Sequence, residues 1–183
     1  MLPLTLLPGC GTAQFDSHYA VGQIPGETVK KIVDSTDFRR DYAVLIDMSV
    51  PSDKKRLFLF DISGDSILFS TWVAHGKGSG RGAKARKFSN EEGSYCTSLG
   101  IYRVLEDYKG KHGLSYRLEG LQQSNSNALD RDIVMHAADY VGEEFTKREG
   151  RAGNSWGCPV VSPEALDTLK KYLRTNMLLW IYY

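Results

Sequence analysis

The chain is poor in cysteine. Cys10, Cys96 and Cys158 are the only three in 183 residues, and an odd count without regular spacing argues against a disulfide framework. No CxxC pair and no Cys/His cluster at zinc-finger spacing is present, so neither a metal nor any other cofactor is expected. At least one thiol is therefore free, and a free thiol is either buried and inert or reactive. Charge of one sign is also missing. The 23 Lys and Arg residues nearly balance 22 Asp and Glu, for a net +1, so no global field pulls the chain toward nucleic acid or anionic lipid. Long apolar runs are absent as well, and none approaches the ~20 residues of a membrane helix.

What is present suits one globular domain. Apolar residues make up 42% and charged residues 25% of the chain, ordinary values for a folded protein, and the length suffices to bury a core without staples. The first residues, MLPLTLLPGC, resemble the tail of a bacterial lipoprotein signal, in which a small residue precedes a lipidated cysteine. They are short for a signal and lack its positive region. Residues 1–25 are therefore read as an N-terminal arm, either a plain extension or the remnant of such a signal. In the second case Cys10 carries lipid and anchors the protein outside the cytoplasmic membrane.

Residues 26–183 read as one mainly β domain with a few helices. Val29, Ile32 and Val33 recur at helical spacing after Gly26, predicting a short helix that ends near Phe38. From Tyr42 the pattern turns to strands: 42–50, 56–62 and 67–74, separated by Pro-Ser-Asp and Ser-Gly-Asp-Ser turns. Short loops at regular spacing make these an antiparallel meander. Further strands are expected over 99–105, 114–121 and 132–137. Ser162 then caps a helix with Pro163 at its first position and Glu164 in its first turn. Residues 177–183 complete the sheet as a last strand.

Residues 75–94, HGKGSGRGAKARKFSNEEGS, interrupt this order. Five cations, Lys77, Arg81, Lys84, Arg86 and Lys87, precede any acid. The spacing is not that of a phosphate-binding Walker loop. The segment reads as a solvated loop, or as one whose cations attract a carboxylate-bearing substrate.

The stretch with chemical content runs from Arg131 to Ser162. A strand ends at His136, a polar loop follows, and the chain reaches Ser155-Trp156-Gly157-Cys158. A cysteine attacks carbonyls as a thiolate and needs a lowered pKa or a base, and His136 is the candidate base. Gly157 permits a tight turn that aims the N–H groups of Gly157 and Cys158 at one point, as an oxyanion hole requires. The dipole of the helix after Ser162 favours the thiolate as well. The bland alternatives are a buried structural thiol and a hydrogen-bonded structural histidine.

The ordered set of His136, Ser155-Trp156-Gly157-Cys158, the HGKGSG and FSN segments, Thr97-Ser98-Leu99-Gly100-Ile101-Tyr102 and GKHG resembles the bacterial L,D-transpeptidases, the YkuD-like family. The resemblance covers about residues 42–183. It implies a β-sandwich-like catalytic domain. It also implies a reaction on peptidoglycan in the bacterial cell envelope, where a cysteine attacks the bond between a diamino acid and the D-Ala that follows it. The acyl-enzyme then passes to the amine of a second stem, and carbapenems act as covalent inhibitors. By that resemblance Cys158 is the nucleophile, His136 the base and later the acid, Gly157 and Cys158 the oxyanion donors, and the Ala137 carbonyl the group that orients His136. Ser155 and Trp156 line the site, with His75 and His112 placed along the cleft. The chain departs from the commoner family pattern at Trp156, where a His or Arg is usual, and at Val160, where an Arg is usual. Arg151, Arg103 or the basic loop are the candidate replacements for that arginine as substrate anchor. Cys96 is expected to be structural. The alternatives are an L,D-carboxypeptidase that uses water as acceptor and a non-catalytic cell-wall-binding domain. A Cys/His metal site is disfavoured for want of clustered ligands.

Overall fold

The structure, a computed structural model, describes residues 25–183. The arm expected over residues 1–25, with Cys10, lies outside the described residues except for Pro25. Helix α1 (Gly26–Asp34) opens the described part. Strands β1 (Tyr42–Asp47), β2 (Leu57–Asp61) and β3 (Ser66–Thr71) follow, then the two-residue β4 (His75–Gly76). A long hairpin comes next, β5 (Gly100–Gly110) and β6 (Gly113–Gly120), and then β7 (Val134–Ala137). Helix α2 (Glu143–Glu149), β8 (Asn154–Ser155), β9 (Val160–Val161), helix α3 (Pro163–Leu169) and β10 (Met177–Tyr182) complete the chain.

Eight strands form one mixed sheet in the order β3-β2-β1-β10-β5-β6-β7-β9, and β4 pairs with β8 in a second sheet. The first three strands are the expected antiparallel meander. The last strand inserts parallel to β1 and antiparallel to β5. That central position explains why MLLWIY contains no polar residue: all six residues of β10 are buried.

The period of two along β1 and β10 sorts the core onto both faces. Val44 and Ile46 with Met177, Leu179 and Ile181 face one side. Ala43 and Leu45 with Leu178, Trp180 and Tyr182 face the other. Helix α1 covers the second face with Val29, Ile32 and Val33, its i, i+3, i+4 stripe. Helix α3 covers the first with Ala165, Leu166 and Leu169, and Ile133, Met135 and Val161 join that same cluster. The core and the Cys158 segment are thus one packed unit, because Cys158 itself packs against this cluster.

Five elements depart from the sequence expectation. The polar stretch 143–149 is a helix, α2, closed by Gly150 at φ 69°. The hairpin strand β5 runs on to Gly110, past the apolar stretch, because pairing with β6 continues along exposed residues. Strands β4, β8 and β9 are each two residues long, too short for any periodicity to announce them.

Candidate active site

Register alone brings the two ends of the key stretch together. β7 and β9 pair in parallel, with His136 opposite Val160 and Ala137 opposite Val161. Cys158 enters two residues before Val160, so it lies roughly 7 Å back along the strand direction from the His136 level. On its other side β7 pairs with β6, Ser115 opposite His136. The His136 ring is 4% exposed, and its Nδ1 lies 3.0 Å from the Ala137 carbonyl. A carbonyl only accepts, so Nδ1 carries the proton and Nε2 keeps its lone pair. Burial, first of all, lowers the His136 pKa below its ordinary value, and the electrostatic effects of His112 and Lys111 lower it further against the raising effect of the Ala137 bond.

The turn that carries Cys158 is closed on itself by Ser155. The Ser155 hydroxyl donates to the Cys158 carbonyl at 2.7 Å and accepts the Gly157 N–H at 3.1 Å. The Gly157 N–H, expected to serve an oxyanion together with that of Cys158, is therefore already engaged. Gly157 is required for another reason. Its φ is +127°, and a Cβ there would lie 2.9 Å from the Cys96 carbonyl and 3.1 Å from the Arg131 guanidinium.

The Cys158 thiol rests against the Asp132 carbonyl, 3.6 Å from Sγ. Burial raises its pKa, and this outweighs the Val134 N–H and the charge of Arg131, both of which favour the thiolate. Helix α3, whose dipole was expected to favour the thiolate, is only seven residues long and is capped by Ser162 at the Ala165 N–H. At neutral pH the pair is thus a neutral thiol and a neutral imidazole rather than a standing ion pair.

His112 and His75, both placed along the cleft by the sequence, part company. His112 sits in the two-residue turn of the β5–β6 hairpin and stacks on His136, with ring centroids 4.3 Å apart at 21°. His75 is fully buried. Its Nδ1 meets the Arg56 guanidinium at 2.9 Å and its Nε2 the Gly80 carbonyl at 2.9 Å. It does not line a cleft but braces the glycine-rich loop from inside, and burial lowers its pKa to about 4. Arg56, also without exposure, donates to the carbonyls of Val73 and Val50.

That brace holds β4 against β8, His75 opposite Asn154 and Gly76 opposite Ser155. The Thr97 hydroxyl accepts the Gly76 N–H at 3.0 Å, and the Thr97 N–H reaches Ser79 Oγ at 2.9 Å. The HGKGSG and TSLGIY segments thus meet beside the Ser155 turn. Of the candidate anchors, Arg151 binds the Ala152 carbonyl and Asn154 Oδ1, and Arg103 pairs with Asp37 and Glu119. Trp156 stands 67% exposed. Cys96 is buried.

Arg131 escaped the sequence reading. Its guanidinium donates to the carbonyls of Ser89 and Cys96 and to Ser98 Oγ, tying three parts of the 89–98 segment to the foot of β7. Asp132 beside it holds a left-handed φ of 52°. No local signal distinguishes this arginine, because all its partners are distant in sequence. Among the described residues no group of three or more His, Cys, Asp or Glu could hold a metal ion, and no helix is long and apolar enough to cross a membrane.

Comparison with known proteins gives one family. A family model described as the L,D-transpeptidase catalytic domain matches residues 19–182. No curated protein matches the sequence. Among solved structures, an L,D-transpeptidase from Mycobacterium smegmatis is 9% identical, with 78% of this chain and 59% of that one covered and a TM-score of 0.47. One from Stackebrandtia nassauensis is 12% identical, covering 86% and 65% at a TM-score of 0.49. Residues 123–326 of one from Xylanimonas cellulosilytica are 17% identical, covering 85% and 69% at 0.44. The chain spans about half to two thirds of the length of the solved structures it matches.

Proposed function

The chain belongs to the L,D-transpeptidase catalytic-domain family, and from that premise we propose that it joins peptidoglycan stem peptides through a thioester on Cys158. Sγ attacks the carbonyl carbon of the bond between the diamino acid at position 3 and the D-Ala at position 4. His136 Nε2 takes the thiol proton as the S–C bond forms. The developing oxyanion receives the Cys158 N–H. His136 then returns the proton to the D-Ala nitrogen, the C–N bond breaks, and D-Ala leaves. The side-chain amine of a second stem attacks the thioester and gives its proton to His136. The thiol is regenerated and a 3→3 cross-link results.

The observation that carries this reading is the hydrogen bond from His136 Nδ1 to the Ala137 carbonyl, which frees Nε2 on the strand next to the one Cys158 leads into. The thiol must swing away from the Asp132 carbonyl to meet that lone pair, a rearrangement common between free and substrate-bound sites. The substrate places the protein in the bacterial cell envelope, with Cys10 the candidate lipid attachment point. A lipid-sized mass increment on a Cys10 peptide from purified envelopes would bear that out, and an unmodified Cys10 would end it.

The test uses tetrapeptide muropeptides with the protein and its Cys158→Ala variant, read by mass spectrometry. The proposal expects a cross-linked dimer that has lost one D-Ala, absent in the variant. Free tripeptide without dimer would make the protein an L,D-carboxypeptidase. No product would refute both reactions.

A further inference from the structure

Three segments distant in sequence meet on the rim of the Cys158 turn. Lys77 Nζ lies 4.0 Å from the centre of the Tyr95 ring and 4.8 Å from that of Trp156. The two rings touch edge to face, centroids 5.3 Å apart. Trp156 is two residues from Cys158, and its neighbour Ser155 binds the Cys158 carbonyl. We propose that Lys77, with Tyr95 and Trp156 as its walls, is a carboxylate-binding subsite that anchors the donor stem peptide, an inference that rests on the transpeptidase reading above.

The lysine is built into place rather than free on a loop. Its own N–H donates to the Ser155 carbonyl at 2.8 Å. A Cβ on Gly76 would fall 2.2 Å from the Tyr95 carbonyl, and one on Gly78 2.1 Å from that of Ser94. The backbones of 76–78 and 94–95 therefore pack directly on each other, with the Gly78 N–H donating to the Tyr95 carbonyl at 2.9 Å. Tyr95 holds φ at +52°, a left-handed conformation unfavourable for a residue with a Cβ. The strain is maintained where it sets the ring against the ammonium.

The charge of Lys77 is unanswered. No carboxylate lies within ion-pair distance of it among the described residues. Ring faces attract a cation without neutralising it. Both rings also face water, Trp156 at 67% and Tyr95 at 40% exposure, more than their apolar area favours unless something lies against them. An incoming carboxylate would meet an ammonium held against two ring faces, and a hydrogen bond between two charged groups is stronger than one between neutral ones. Of the two rival arginines, Arg151 donates to the Ala152 carbonyl and Asn154 Oδ1, and Arg103 pairs with Asp37 and Glu119. Lys77 thus supplies the positive charge that Val160 does not.

Two carboxylates lie on the residues either side of the scissile bond, the C-terminus of D-Ala and, in some diamino acids, a side-chain carboxylate. The experiment separates them. The Cys158→Ala protein, which cannot turn over, is titrated calorimetrically with four tetrapeptides: terminal acid or amide, each with lysine or diaminopimelate at position 3. Removing the anchored carboxylate should weaken binding about tenfold, the order expected for a hydrogen bond to a charged group, and whichever removal does so names the source. Adding Lys77→Met should cost the same factor and abolish the discrimination, and Lys77→Arg should keep it. Lys77→Met that binds within twofold of its parent, or still tells acid from amide, overturns the proposal. So does a parent that binds none of the four. Intact-protein mass of the unsubstituted enzyme with the same peptides tests the underlying reading separately. An acyl adduct with no Lys77 effect sinks only the anchor, and a Lys77-dependent carboxylate preference without an adduct sinks only the transpeptidase.

Discussion

Replacing His75 with glutamine should flatten the acid side of the protein's stability curve. The native ring is buried and neutral between Arg56 and Gly80, with a pKa lowered to about 4 from 6.5, first by desolvation and then by the charge of Arg56. The unfolded chain regains the ordinary value. Between those two pH values the unfolded state binds a proton that the native state does not, so stability rises with pH there and is lost as pH falls from 6.5 toward 4. A shift of that size corresponds to about 3 kcal/mol at its limit, of which about 2 kcal/mol is gone by pH 5. Urea unfolding followed by far-ultraviolet circular dichroism at pH 7.5, 6, 5 and 4.5 measures it. At a slope of about 1–3 kcal/mol per molar urea, the wild-type midpoint should fall by roughly 1 M between pH 7.5 and 5 on account of this residue. His75→Gln, less stable at pH 7.5 through lost packing, should lack that portion of the fall. His136 titrates in the same direction but is present in both proteins and cancels. Parallel curves for the two proteins would refute the buried neutral brace.

Three other outcomes follow from the site. Because burial raises the Cys158 thiol above its ordinary pKa, alkylation by iodoacetamide should be slow at pH 7 and climb through the alkaline range, and fast alkylation at pH 7 would contradict this. Gly157→Ala must hold φ near +127° and crowd the Cys96 carbonyl, so it should lower stability by about 1–3 kcal/mol in a urea titration and slow acylation with it. An unchanged midpoint would show that the turn relaxes freely. His112→Ala removes a stacked neighbour whose electrostatic effect holds the His136 pKa down, so the His136 pKa should rise, as read by proton NMR titration, and a fall would show that the stack acts otherwise.

The strands were legible because β1, β2 and β10 bury side chains in apolar runs, and Ser162-Pro163 announces α3 by capping chemistry alone. The pairing of His136 with the Cys158 segment could be anticipated only through a resemblance. The strand that completes it, β9, has two residues, and its parallel partner lies 24 positions away in register. Periodicity carries nothing over such spans. The role of His75 was missed because burial depends on Arg56, 19 residues earlier, and a histidine beside glycines looks like a loop residue. Arg131 and Tyr95 were missed for the same reason: each acts through backbone carbonyls or ring contacts whose partners are far apart in sequence. At Gly157 the structure adds to the expected tight turn two contacts that the sequence does not show. Glycine is needed there for its φ and for the close Cys96 carbonyl, while Ser155 takes the N–H.

The central claim is a thioester on Cys158 formed with His136 as base, and intact-protein mass spectrometry after brief mixing with a stem tetrapeptide tests it most directly. The account predicts a mass gain equal to the peptide minus D-Ala, mapped to Cys158 by digestion and absent in Cys158→Ala. In His136→Ala it should form about two to four orders of magnitude more slowly. An adduct that persists in Cys158→Ala, or forms at the normal rate in His136→Ala, would contradict it.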